Sequence, residues 1–183
     1  MPSKDSLRKR YFVLRKKKYF ETNRIFFYPL VKLVKQKFRK KKINLSLYYP
    51  SSYELNVLKL LDIDQINKLN ILLPVVQGTR EMNFFRWKKN DILLINKFGI
   101  MEPIKSKKII PDLMLIPLLA YDKNKHRLGF GKGFYDNYLN KHLKNFKNII
   151  TVGVAFSFQK YHKLPLSKND VKLDYILSEK GIF

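Results

Sequence analysis

A chain of 183 residues, 45% of them hydrophobic, is long enough to bury a sizeable core and reads as one domain, 1–183. The absence of cysteine excludes a disulfide framework, a thiolate nucleophile and a cysteine-held metal, and suits a reducing, cytoplasmic setting. A net charge of +24, from 38 basic and 14 acidic residues, invites a nucleic-acid partner. The lysines are nevertheless spread along the whole chain among many Asn, Ile, Phe and Tyr, with no RNA-recognition or zinc-finger signature, and the three histidines lack metal-ligand spacing.

Near the start, Leu7, Tyr11, Leu14 and then Lys18 recur at helical spacing, and Lys4 and Arg8, four apart, share one face. That pair is either two solvated surface cations or two aligned charges for a triphosphate. Thr22 is placed to cap a second helix carrying Ile25, Phe26, Val31, Val34 and Phe38, which Pro29 breaks or kinks. The apolar run from Ile25 to Val31 is too short for a membrane span and lacks a cleavage site, so neither a transmembrane helix nor a signal peptide is expected. The basic run from Lys37 to Lys42 reads as a solvated helix end or as a phosphate-binding patch.

Ile43 to Tyr49 has strand character, and 53–68 reads as a helix through Leu55, Leu58, Leu61, Ile63 and Ile66. Short apolar runs follow at 70–76, 82–87, 92–95, 113–119, 149–156 and 173–177, several with little alternation, as in strands buried on both faces. The expected fold is α/β, a three-layer sandwich with a mostly parallel central sheet and flanking helices. Ligands of such sheets bind outside the carboxyl ends of the strands, which is where the segment after 113–121 would lie.

That segment, Arg127 to Tyr138, holds three of the seven glycines, Gly129, Gly131 and Gly133, in five positions. Glycines permit conformations closed to other residues and close approach to a ligand, and the helix expected after them offers free N–H groups to an anion. Arg127 and Lys132 add positive charge. The spacing fits neither the dinucleotide fingerprint nor the Walker loop, so the choice between a phosphate cradle and an ordinary tight turn stays open on the glycines alone.

Acidic residues are scarce, and two stand beside loops. Asp136 falls in the first turn of the helix expected after the glycines, and Asp170 lies in a polar loop before the run 173–177. Asp170 reads equally as an Asx-type turn. As a pair, they suit magnesium, which takes one or two carboxylates plus phosphate oxygens and water.

The chain resembles the 5-formyltetrahydrofolate cyclo-ligase family, also called 5,10-methenyltetrahydrofolate synthetases. The resemblance rests on Lys4-Asp5-Ser6-Leu7-Arg8, Leu73-Pro74-Val75-Val76, Gly99-Ile100-Met101-Glu102-Pro103, Pro111-Asp112-Leu113 and, above all, Arg127-Leu128-Gly129-Phe130-Gly131-Lys132-Gly133-Phe134-Tyr135-Asp136, with Leu164-Pro165 and Asp170 downstream. It implies an ATP- and magnesium-dependent closure of 5-formyltetrahydrofolate, with or without a polyglutamate tail, to 5,10-methenyltetrahydrofolate through a phosphorylated formyl group. By the family motif, Lys4, Arg8 and Arg127 to Tyr135, including Leu128, bind ATP, and Arg127 and Lys132 are the catalytic cations. Phe130 to Phe134 also face the folate, together with Leu47 and Glu54, and Asp136 and Asp170 hold magnesium. Glu54 stands in Tyr53-Glu54-Leu55, where the family shows an acidic-Glu-Ile-x-Thr stretch. It reads either as a pterin contact or as a first-turn helix residue. A monomer without membrane or specific nucleic-acid partners is expected. The competing readings are a basic RNA-binding α/β protein and a folate- or nucleotide-binding module without turnover.

Overall fold

The structure is a computed structural model and describes residues 2–39, 42–143 and 149–183. Helix α1, Lys4–Lys18, opens where the Ser3 hydroxyl accepts the Ser6 N–H at 3.1 Å, with Asp5 in its first turn and four cations, Arg15 to Lys18, in its last. Both ends therefore match the helix dipole. Its buried stripe is Leu7, Tyr11 and Arg15, so an arginine takes the place expected of an apolar residue.

The second helix starts differently from expectation. Asn23, rather than Thr22, accepts the Ile25 N–H at 2.9 Å and caps a 3-10 turn, Arg24–Phe27, that runs into α2, Tyr28–Phe38. Pro29 sits in the first turn of α2, where a missing N–H costs no hydrogen bond, so it starts the helix instead of kinking it. The helix ends at Phe38, and Lys40 and Lys41 of the basic run lie outside the described residues.

Strand β1 is short, Asn44–Ser46. The helix expected over 53–68 is replaced by a 3-10 turn, Val57–Asp62, and one turn of helix α3, Asp64–Asn67. Asn56 accepts the Leu58 N–H and restarts the backbone there, and Ile63 is extended. Burial explains the departure. Leu55, Val57, Leu60, Leu61, Ile63 and Ile66 are all inside, which one straight amphipathic helix would not allow.

Strands β2, Asn70–Gln77, and β3, Glu81–Arg86, form an antiparallel hairpin. Strands β4, Leu93–Ile95, and β5, Met101–Pro103, form a second hairpin outside the main sheet, so the 92–95 run is not a central strand. Next come β6, Leu113–Pro117, the small hairpin β7, Ala120–Tyr121, and β8, Arg127–Leu128, and then helix α4, Phe134–His142. Strands β9, Ile150–Val154, β10, Tyr175–Ser178, and β11, Gly181–Ile182, complete the chain.

The seven-stranded sheet runs β11-β10-β9-β6-β1-β2-β3, parallel from β10 to β2 with an antiparallel strand at each edge. Alternation along its strands fills two cores. Leu45, Leu113, Leu115 and Val152 face α2 and the 57–66 segment, whereas Leu72, Met114, Ile116 and Ile176 face α4 through Tyr138 and Leu139. Each of these aliphatic side chains, at full burial, contributes about 1.5–3 kcal/mol. Helix α1 covers neither sheet face. It packs Leu7 and Tyr11 on Leu119, Ala120 and Leu128, above the carboxyl end of the sheet.

Candidate active site

The chain turns one way from β1 to β2 and the other way from β6 to β9, so the sheet's switch point lies between β1 and β6. Ligands of such sheets bind in the crevice at the switch point, and α1 meets the glycine loop at this end of the sheet through Arg8 and the Gly129 carbonyl.

The glycine loop does not follow a central strand directly, since the β7–β8 hairpin intervenes and Arg127 and Leu128 are themselves the second strand of that hairpin. Gly131 has φ 95° and Gly133 φ 72°, left-handed conformations that other residues adopt at a cost. Gly133 is the N-cap of α4 and supplies no side-chain acceptor, leaving the first N–H groups of that helix open to an anion. A side chain at Gly131 would meet the Arg8 guanidinium carbon at 3.0 Å. Arg8 donates from Nε to the Gly129 carbonyl at 3.0 Å and pairs with Asp5. Lys132 is exposed, its ammonium 5.8 Å from the centre of the Phe98 ring.

The two singled-out carboxylates come to this same place, and each holds a cation. Asp136 accepts from Arg127 at 2.7 Å and from the Val171 N–H at 3.1 Å, while Arg127 also donates to the Val171 carbonyl at 2.9 Å. Asp170 pairs with Lys4 and accepts the Ser167 N–H at 2.7 Å, and Lys4 reaches the Ser167 hydroxyl at 2.8 Å. The segment 167–171 thus ties α1 to α4. Among the described residues no three His, Asp or Glu side chains gather as a metal cage. An ion that brings its own phosphate oxygens, as magnesium does, would have to share these carboxylates with Lys4 and Arg127.

On the other side of the crevice lies Glu54, 8% exposed. Its carboxylate accepts from the Ser51 N–H at 3.0 Å and faces Arg15, Tyr48 and Tyr135. Burial pushes its pKa from 4.5 up to about 7, opposed chiefly by the Arg15 charge. Burial and the Glu54 charge push both tyrosines upward as well, so they stay protonated donors.

A family model described as the 5-formyltetrahydrofolate cyclo-ligase family matches residues 2–179. The chain belongs to that family. A 5-formyltetrahydrofolate cyclo-ligase of Haemophilus influenzae is 33% identical over 143 residues, covering 73% of this chain and 74% of the relative. One of Mycoplasma genitalium is 34% identical over 135 residues, covering 73% and 71%. The solved 5,10-methenyltetrahydrofolate synthetase of Aquifex aeolicus superposes with a TM-score of 0.73 at 30% identity, covering 98% of this chain and 91% of the other.

Within this cyclo-ligase, three bonded groups surround the glycine loop: Arg8 with the Gly129 carbonyl and Asp5, Lys4 with Asp170 and Ser167, and Arg127 with Asp136 and Val171. Leu128 turns its side chain into the core beneath α1, and its carbonyl accepts the Leu119 N–H at 2.7 Å. Leu47 is fully buried in the core on the α2 side, so its side chain is not exposed to a ligand in this structure. Phe134 packs edge-on against Phe98 at the tip of the β4–β5 hairpin. Glu102 fixes that hairpin, accepting from the Val76 N–H at 2.8 Å and the Asn96 side chain at 2.7 Å. Sequence reasoning missed Arg15, Tyr48 and Phe98. Of these only Arg15 left a trace, a cation four residues after Tyr11 on an otherwise apolar stripe.

Proposed function

We propose that the crevice between β1 and β6 closes 5-formyltetrahydrofolate to 5,10-methenyltetrahydrofolate, with ATP phosphorylating the formyl oxygen. The observation that carries this reading is the gathering of Lys4, Arg8 and Arg127 around a glycine loop that holds the exposed Lys132 and leads into an uncapped helix start, with Glu54 facing Tyr135 of that helix. Polyphosphate chemistry needs the cations and the helix start, and a pterin ring, with its paired amino and amide donors, suits Glu54.

In the reaction, the formyl oxygen attacks the terminal phosphorus and ADP leaves. Nitrogen 10 of the folate then adds to the activated carbon, loses its proton, and the carbon–oxygen bond breaks to release phosphate, leaving the five-membered cationic ring. No covalent enzyme intermediate is required, and the protein contributes position and charge. Arg8, held against the Gly129 carbonyl, and Lys4 neutralise the phosphates from α1. Arg127, fixed by Asp136 and the Val171 carbonyl, adds a guanidinium at the head of the glycine loop. Lys132 is free to leave the Phe98 ring for the transferring phosphoryl group. Asp136 and Asp170 would hold magnesium, which, when bound, supplies further positive charge to the phosphate oxygens.

Phe130, 45% exposed, and Phe134 would line the folate side of the loop. Glu54, ionised, would accept two hydrogen bonds from the pterin.

The test follows the formyl oxygen. Substrate labelled with oxygen-18 at the formyl group should deliver one label per turnover into inorganic phosphate. Unlabelled phosphate would exclude the phosphorylated intermediate.

A further inference from the structure

Arg15 is the least explained polar group of the crevice. It is 1% exposed, it lies on α1 two turns beyond Arg8, and nothing in the phosphate chemistry uses it. Its guanidinium touches three separate segments. One terminal nitrogen donates to the Ser52 carbonyl at 2.7 Å, just before Glu54. The other reaches the Leu118 carbonyl at 3.3 Å, just after β6. The guanidinium carbon lies 5.2 Å from the centre of the Phe130 ring in the glycine loop. The Arg15 Nε–H is buried and has no partner among the described residues. A buried arginine with a donor left over carries a desolvation cost that its two carbonyl bonds only partly offset.

The segment it holds is itself held away from relaxed geometry. Ser52 and Tyr53 have φ of 48° and 63°, consecutive left-handed conformations in residues that are not glycine. Such conformations cluster where a site over-determines the backbone. Here the 2.7 Å bond from Arg15 to the Ser52 carbonyl and the edge-on packing of Tyr53 against Tyr19 fix the turn that delivers Glu54.

We infer that Arg15 is a positioning residue for the folate: it locks the turn carrying Glu54 to the end of β6 and to Phe130, and keeps a cation facing the Glu54 carboxylate. This rests on Glu54 receiving the pterin. The groups facing Glu54 are Arg15 from α1, Tyr48 and the Ser51 N–H from the segment after β1, and Tyr135 from α4. Arg15 is the only charged one among them, and it opposes the effect of burial. Removing its charge makes Glu54 protonate at higher pH, so ionised Glu54, the form that accepts from the pterin, is lost sooner as pH falls.

The experiment measures steady-state KM for 5-formyltetrahydrofolate and for ATP between pH 6 and 9 in the wild type, Arg15→Met and Arg15→Lys, with Tm recorded for each. In Arg15→Met the folate KM at pH 7.5 should rise at least roughly tenfold, with the ATP KM changed less than about threefold. The pH below which folate KM climbs should move upward from its wild-type position near 7. Arg15→Lys keeps the charge and loses the two-carbonyl reach, so it should raise folate KM by roughly threefold and leave the pH midpoint in place.

Equal rises in both KM values, or an unmoved pH midpoint in Arg15→Met, would overturn the inference. If Arg15→Met does not fold, Arg15→Lys decides, and a wild-type folate KM there overturns it. A wild-type protein that turns over normally while Glu54→Gln retains its folate KM would instead remove the reading of Glu54 on which this depends.

Discussion

Glu54→Gln should separate the cost of the folate site from its use. A carboxyl lifted from 4.5 to about 7 by burial is about 3 kcal/mol harder to ionise in the fold than in the unfolded chain. Its folded pKa is raised, so the stability it lends is fully present below its unfolded pKa and is lost as pH rises through the folded one. Between pH 5.5 and 8.5 this group alone should reduce wild-type stability by about 2 kcal/mol. Glutamine fills the same space, still accepts the Ser51 N–H and never ionises.

Urea unfolding of both proteins at the two pH values tests this. The variant should be the more stable by up to about 3 kcal/mol at pH 8.5, with a much smaller advantage at pH 5.5. Its folate KM at pH 8 should meanwhile rise by roughly 10- to 100-fold, since paired charge-assisted bonds to the pterin are lost. Equal stability differences at both pH values would refute the electrostatic argument, and a destabilised variant at pH 8.5 would show that the Glu54 carboxylate is a net structural support.

Gly131→Ala forces a side chain into a left-handed position and against Arg8, which should cost about 1–3 kcal/mol and raise the ATP KM more than the folate KM in steady-state assays. Asp136→Asn and Asp170→Asn should each raise the magnesium concentration for half-maximal rate roughly tenfold without unfolding the protein, as read from magnesium titrations alongside thermal melts. Gly153→Ala places a methyl 2.7 Å from Ile176 and Leu173, in packed β9, and should lower stability by about 1–3 kcal/mol in urea unfolding.

The site's charged machinery was legible because its signals are local. The glycine spacing and the i,i+4 pair Lys4 and Arg8 each sit within a few residues, whereas Asp136 and Asp170 are far apart in sequence and stood out as scarce acids beside loops, so the fold had to bring them together. The main sheet was legible for a similar reason, since unbroken apolar runs such as Leu113 to Ile116 signal strands covered on both faces.

What was not legible depends on tertiary context. The 53–68 segment carries enough Leu and Ile for a helix, yet Leu55, Val57, Leu60, Leu61, Ile63 and Ile66 all find core, so it coils into short turns to bury the six of them. Arg15 looks like one more cation of α1 until Ser52, Leu118 and Phe130 arrive from three distant segments. The β4–β5 hairpin depends on the Asn96 side chain, which accepts the Phe98 and Ile100 N–H groups at 2.8 and 3.0 Å and sets a turn through Gly99. A reading of apolar runs does not see such a turn.

The most direct test of the central claim is the appearance of the methenyl-folate chromophore when the purified protein meets 5-formyltetrahydrofolate, ATP and magnesium. Absorbance should rise in the complete mixture, with one ADP formed per product, and stay flat when folate, ATP or protein is omitted. A flat trace from folded protein that still binds both ligands would contradict that claim and leave a binding module without turnover.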